Sequence, residues 1–268
     1  MTWEDAVRWL KSRPDQAELV RACFFDDPLT AAAERYYRSS EWHGVRHLLP
    51  PGRGKALDVG AGRGISAYAL ARDGWQVSAV EPNASAAVGA GAIRQLAQDT
   101  GIVIEVVEQM GESLPFADET FDLVHCRAVM HHASNLAQFC REMVRVLRPN
   151  GVLIATREHV ISRREDLPRF LSAHPLHSLY GGENAYLLSD YIAAIRGAGL
   201  QLKQLLNPFE SDVNLFPDTK SAMKTRIISR LGLPWPGLIP DALLSWLGAR
   251  SDQPGRHYSF VAIKVRHG

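Results

Sequence analysis

Cysteine is scarce in this 268-residue chain: Cys23, Cys126 and Cys140 stand far apart, odd in number and without a Cys-x-x-Cys pair. That excludes a disulfide framework and a thiolate zinc site, and leaves buried thiols in a reducing compartment. Charge of one sign is lacking as well. Lys and Arg total 30 against 29 Asp and Glu, so there is no broad basic field of the kind duplex nucleic acid calls for, and nucleic acid is not expected as a partner. No run of about 18 uncharged apolar residues occurs, so no spanning helix is expected. The opening "MTWEDAVRWLKSRPDQ" has acids at positions 4 and 5 and no apolar core, unlike a secretory signal, and a cytoplasmic protein is expected. Internal repeats and low-complexity tracts are absent too.

What is present is an ordinary globular composition, 46% hydrophobic and 22% charged, in a length that suits one domain with elaborations. Trp3, Val7 and Leu10 share a helical face over 3–11, and 16–25 and 30–49 read as further helices. "PPGRGK" at 50–55 breaks that pattern, making 1–49 an N-terminal helical cap and 50–268 the main domain. From there strands at 56–59, 76–80, 103–107, 121–126 and 151–157 alternate with helices at 64–72, 84–99 and 135–147. Such alternation implies an α/β fold, a mostly parallel sheet with helices on both faces. A helix at 188–197, a strand at 200–206 and a final strand "HYSFVAIKV" complete the pattern. Two irregular stretches, about 159–187 and 207–252, interrupt it late and are expected to form a lid.

The stretch "LDVGAGRGISAYAL" at 57–70 runs a strand into Gly60, Ala61, Gly62 and Gly64 and then into a helix. The third glycine comes one residue too early for the G-x-G-x-x-G pyrophosphate fingerprint. Asp58 precedes the loop, where a carboxylate would repel a diphosphate and could accept from an ammonium group. Glu81 ends the next strand in "VSAVEPN", 23 residues after Asp58, placed to take both hydroxyls of a ribose.

These residues resemble the class I S-adenosylmethionine-dependent methyltransferases, in the subgroup that includes the ubiquinone and menaquinone biosynthesis enzymes. The resemblance covers roughly 50–160, through "LDVGAGRG", "VEPN", "ESLPFADETFDLVHCRAVMHH" and "REMVRVLRPNGVLIATRE" in that order. It implies a Rossmann-like, seven-stranded sheet with the last strand antiparallel. It also implies S-adenosyl-L-methionine as cofactor and S-adenosyl-L-homocysteine as product. The glycine loop would pass under the methionine part and Glu81 would hold the ribose. Pro82 and Asn83 would lie beside the adenine, the stretch from Gln109 to Glu112 would cover it, and Cys126, Arg127 and Ala128 would approach the amino acid end. One departure stands out: where the family often has an acidic residue facing the adenine amino group, this chain has Met110, a poor acceptor. Adenine recognition is therefore expected from the Gly111 and Glu112 backbone and from apolar sandwiching. In the family the segment before the sheet often folds over the cofactor; within "ERYYRSSEWHG" the aromatic chosen for a sulfonium contact is Tyr37.

His131 and His132, in "RAVMHHASN" after the fourth strand, are the best-placed candidates for a general base. The family commonly has His in this loop without using it so, and packing against the cofactor is the other reading. His159, His174, His177, Tyr180, Glu183 and Asn184 lie in the first insertion; of these, His174, His177, Tyr180, Glu183 and Asn184 are the candidate substrate contacts. No metal-ligand spacing is convincing, since His174 and His177 flank Pro175 and lack a third and fourth ligand, so no metal is expected. "LGLPWPGLIPDALLSWLGA" at 231–249 is the most apolar stretch, but Pro234, Pro236, Pro240 and Asp241 prevent it from spanning a membrane as a helix. Its readings, in order, are a wall of the acceptor pocket, a contact with a second copy, and a rest on a membrane surface.

The expected function is methyl transfer to a small-molecule or glycan-precursor acceptor, at oxygen before nitrogen or carbon, by a monomer or homodimer. The alternative is an inactive cofactor-fold module that binds a partner protein.

Overall fold

The structure, a computed structural model, describes residues 1–232, 235 and 239–265. Its centre is a mostly parallel sheet of eight strands: β1 (Lys55–Val59), β2 (Gln76–Val80), β3 (Ile104–Val107), β4 (Phe121–Arg127), β5 (Leu147–Ile161), β6 (Tyr186–Leu187), β7 (Leu200–Leu206) and β8 (Arg256–Lys264). The order is β3-β2-β1-β4-β5-β8-β7, with β6 paired to β5 off that path. The last strand, β8, runs antiparallel to both β5 and β7. The chain reverses direction across the sheet between β1 and β4, and a crevice outside the carboxyl ends of those strands follows from that reversal.

β1 and β4 are buried on both faces because helices cover both, and apart from the paired Asp58 and His125 their buried side chains are apolar. Val59, Val124, Phe139, Met143 and Tyr191 belong to one core, and Ala56, Leu70, Trp42 and Ile93 to the other. The helix Trp3–Lys11 starts on a reciprocal cap between Thr2 and Asp5 and buries Ala6, Val7 and Leu10, the face its spacing predicts. The 30–49 stretch is two helices, Leu29–Tyr37 and Ser40–Arg46, because the Ser39 side chain caps a new start by accepting from the Trp42 amide.

Three differences from the expected elements bear on the site. An eighth strand exists, since β6 is only two residues long and no alternation announces it. The helix expected over 84–99 begins at Ala90, because Asn83 turns the chain: its side chain accepts from the Ser85 amide at 2.8 Å and its carbonyl from the Ala90 amide at 2.7 Å. Strand β5 runs four residues past 157, where pairing with β8 sets Glu158 opposite Tyr258 and His159 opposite His257.

Of the apolar stretch 231–249, Pro234 and Pro236 lie outside the described residues. The rest includes the helix Asp241–Ala249, and no helix of the described residues is long and apolar enough to cross a membrane.

Candidate functional site

The crevice between the β1 and β4 tips opens into a cavity of about 560 Å³. Its two ends differ in kind. At one end lies the glycine loop. Gly60, Gly62 and Gly64 have φ of 64°, 54° and 82°, a region L-residues avoid. A side chain at Gly60 would also meet Val129 at 2.6 Å, whereas Gly62 has open space in front of it. The loop's amides are taken within the chain: Gly60 and Ala61 donate to the Val80 carbonyl, Gly64 to Ala61, and Gly62 to Glu81 Oε2 at 2.9 Å. That leaves little of the amide nest a diphosphate needs.

Glu81 is buried, with its second oxygen accepting from the Asn83 amide at 3.0 Å. Burial raises its carboxyl above the ordinary range, against the pull of those two amides. Each oxygen accepts once and keeps further acceptor capacity, which two neighbouring hydroxyls would complete. Pro82, Met110, Gly111, Glu112, Val59 and Phe139 form the walls beside it. The Glu112 carboxylate accepts from the Ser134 amide and hydroxyl, which fixes the 110–112 turn against the helix Leu136–Val146. Asp58 borders a smaller adjoining cavity beneath the loop, shared with Gly60, Ala61, Gly62 and Arg127. His125 holds its Oδ1 at 2.9 Å, while Oδ2 is buried without a partner among the described residues, free for a cationic group.

The roof comes from two distant segments. Trp3, Ala22, Cys23 and Phe25 descend from the N-terminal cap, and Leu176 and Tyr180 from the first insertion. Trp3 and Tyr180 pack at 4.6 Å between ring centroids. Arg63, inside the glycine loop, bolts this roof down by donating to the Phe24 and Asp26 carbonyls and to the Asp27 carboxylate. Arg127 lines the cavity beneath it, held bidentately by the fully buried Glu41 at 2.6 and 2.9 Å.

At the other end imidazoles gather. Glu158, fully buried, accepts from the amides of Val129, Met130 and His131, each at 3.1 Å, and from His131 Nδ1 at 2.8 Å. One carboxylate thus organises residues 129–131 of the turn after β4, while Ala128 before them, with a left-handed φ of 55°, donates its amide to the Thr156 carbonyl at 2.8 Å. Burial alone would depress the His131 pKa, but the Glu158 and Glu183 carboxylates outweigh it and raise it to about 9. His132 goes the other way: burial and the neighbouring His131 charge both lower it. Its Nδ1 donates to the Gly182 carbonyl at 2.9 Å, so in the neutral ring Nε2 holds the lone pair. His159, on the β5 extension, donates through Nδ1 to the Gly255 carbonyl at 2.9 Å, and burial drives its pKa well below the ordinary value.

The structure brings most of the sequence-selected residues together. Gly60, Gly62, Glu81, Pro82, Met110, Gly111, Glu112, Arg127, Ala128, His131, His132, His174, Tyr180 and Glu183 line the large cavity, and Asp58 and Ala61 the small one. Gly64, Asn83 and Cys126 line neither; they shape the loop, the turn and the buried β4 tip behind it. Tyr37 is misplaced as a cofactor contact: its hydroxyl donates to Asp73 at 3.0 Å and its ring lies against Arg46 and Arg72, facing away from the crevice. His177 and Asn184 also line neither cavity, and among the described residues nothing from 207–252 does. Glu158 and His257 went unselected. Glu158 closes the last quoted motif, yet only its burial on the β5 extension reveals its task.

The family profile described as a methyltransferase domain matches residues 57–155. Over 105 residues the chain is 31% identical to an uncharacterized methyltransferase, YcgJ, of Bacillus subtilis, covering 36% of this chain and 38% of that protein. Over 98 residues it is 35% identical to a ubiquinone biosynthesis O-methyltransferase of Rickettsia conorii, covering 37% of this chain and 32% of that one. The chain thus spans well under half the length of these curated relatives. Among solved structures, a geranyl diphosphate C-methyltransferase of Streptomyces coelicolor, in complex with Mg²⁺, geranyl diphosphate and S-adenosyl-L-homocysteine, aligns over 84% of this chain and 77% of its own. The TM-score is 0.59 at 17% identity, a likeness of fold.

Proposed function

We propose that this chain, whose residues 57–155 match the profile of a methyltransferase domain, transfers a methyl group from S-adenosylmethionine to a hydroxyl of a small-molecule or glycan-precursor acceptor. The observation that carries the reading is Glu81: a buried carboxylate tied to the Gly62 and Asn83 amides, with both oxygens still able to accept, lining a cavity of about 560 Å³. Bound there, the cofactor supplies an electrophilic methyl on a sulfonium that is already a good leaving group.

The protein's own residues do the rest. Glu81 holds the ribose hydroxyls, and Gly62, with no side chain, leaves the space above the loop open. Pro82, Met110 and Gly111 wall the adenine, and Asp58 Oδ2 offers a carboxylate oxygen to the amino group. Alignment of acceptor and methyl can contribute about 7–11 kcal/mol, whereas a general base adds about 10²–10⁴ in rate. A hydroxyl proton needs such a base, and His132 Nε2 suits the task because the ring is neutral at pH 7 and faces the cavity. His131 does not: raised to about 9, its ring is protonated. A cytoplasmic setting fits the three unpaired cysteines.

Calorimetric titration with S-adenosylhomocysteine, NADH as control and Glu81→Ala alongside, tests the reading. Binding of the first ligand alone, lost in the variant, supports it and justifies screening acceptors by mass spectrometry for an added methyl. A folded protein that binds neither ligand overturns it.

A further inference from the structure

Glu183 Oε2 lies 3.7 Å from His131 Nε2, 4.0 Å from His132 Nε2 and 3.9 Å from His174 Nε2. All three separations are too long for hydrogen bonds, yet they are nearly equal. His159 joins the same group, its ring centroid 4.6 Å from that of His131 and 5.4 Å from that of His174. Ligand atoms of His131, His159 and Glu183 all lie within 4.8 Å of one another.

Nitrogen and oxygen atoms spaced this way surround a point rather than pair with each other. A tetrahedral ion with bonds of about 2.0–2.1 Å sets its ligands about 3.3 Å apart, so the side chains close in by about 0.4 Å between Glu183 and His131 and by at most about 1.5 Å across the set. The backing groups point the same way. His131 Nδ1 is held by Glu158 and His159 Nδ1 by the Gly255 carbonyl, so each ring presents Nε2 inward. The Tyr180 hydroxyl donates to Glu183 Oε1 at 2.5 Å, which turns Oε2 toward the rings. Carboxylate, carbonyl and hydroxyl partners behind the ligating atoms are the arrangement that orients metal-binding side chains.

We propose that His131, His159 and Glu183 bind a divalent transition-metal ion, which displaces the Nε2 proton of His131, with His174, 3.9 Å from Glu183 Oε2, as a candidate further ligand. Two or three imidazoles with one carboxylate suit Zn²⁺, Co²⁺, Fe²⁺ or Ni²⁺ and disfavour Mg²⁺ and Ca²⁺, which ask for oxygen ligands. The expectation of no metal drawn from the sequence rested on His174 and His177; the ligating set instead joins the β4 turn, the β5 extension and the first insertion. An ion there stands in the same cavity as Glu81 but at its opposite end, open to an oxygen-bearing acceptor. The site does not depend on the methyl-transfer reading.

The test uses tag-free, chelator-treated full-length protein titrated with Co²⁺ and followed by its visible ligand-field absorption, with S-adenosylhomocysteine affinity measured on the same samples. The expected result is one equivalent bound, displaced by Zn²⁺ and not by excess Mg²⁺, and weakened more than about tenfold in both His159→Gln and Glu183→Gln. Retained S-adenosylhomocysteine binding in those variants shows that they fold. Metal binding without nucleoside binding would leave the metal site standing and sink the cofactor reading. No Co²⁺ or Zn²⁺ uptake by wild type, or uptake undiminished in both His159→Gln and Glu183→Gln, overturns the proposal.

Discussion

The two ends of the cavity are built by opposite means. The nucleoside end draws on neighbours in sequence: Asp58 through Gly64 form one turn, Glu81 through Asn83 the next, and adjacent parallel strands bring them together. The imidazole end draws on the turn after β4, the β5 extension and the first insertion, with β8 behind, and none of these predicts another locally. A site made of consecutive strand tips tolerates change elsewhere in the chain, while a site of remote pieces depends on all of them at once.

That contrast can be broken or sharpened by substitution. The largest effect expected is on turnover: His132→Ala should lower the methylation rate by about 10²–10⁴, read against an unchanged S-adenosylhomocysteine affinity. Next comes Glu158→Ala, which removes the acceptor of three backbone amides and the partner of His131. It should cost about 3–5 kcal/mol in a denaturant unfolding experiment. If the ends are as independent as they look, the folded fraction still binds S-adenosylhomocysteine. Glu81→Ala is the mirror case, with about 10²-fold weaker binding, unchanged metal uptake and a smaller stability loss of about 1–3 kcal/mol from the two amides it leaves without an acceptor.

Acidification gives a smaller, graded effect. Burial raises the Glu81 carboxyl in the free protein, and donating ribose hydroxyls favour its ionised form. Binding must then expel a proton once the pH falls below that raised value. Affinity should decline by up to about tenfold per pH unit there and level off above it, as calorimetry across a pH series would display. Smallest of all is Tyr37→Phe. With its hydroxyl on Asp73, nucleoside affinity should not move, and unfolding should shift by no more than about 1 kcal/mol.

Much of the nucleoside end was legible because its signals are local: glycine spacing, an acidic strand tip, apolar runs of strand length. The choice of Tyr37 failed because an aromatic on an N-terminal helix carries no record of which face it buries. The roof instead uses Trp3 and Phe25. The imidazole end was half visible. His131, His132, His174 and Glu183 stood out as chemistry-bearing residues, but their convergence did not, since it depends on β5 continuing through "REHVI". That continuation has no period-two pattern. It exists because β8 pairs with it from about 100 residues away, with Val160 opposite Arg256.

Arg63 ties the floor of the cavity to its ceiling. It sits between Gly62 and Gly64, and its guanidinium holds the backbone of Phe24 and Asp26. Lifting the roof therefore means breaking contacts rooted in the loop below, and loosening the loop releases the roof. The two form one opening unit, so amide hydrogens of 62–64 and of 23–27 should exchange with a common rate and slow together when a nucleoside ligand is bound.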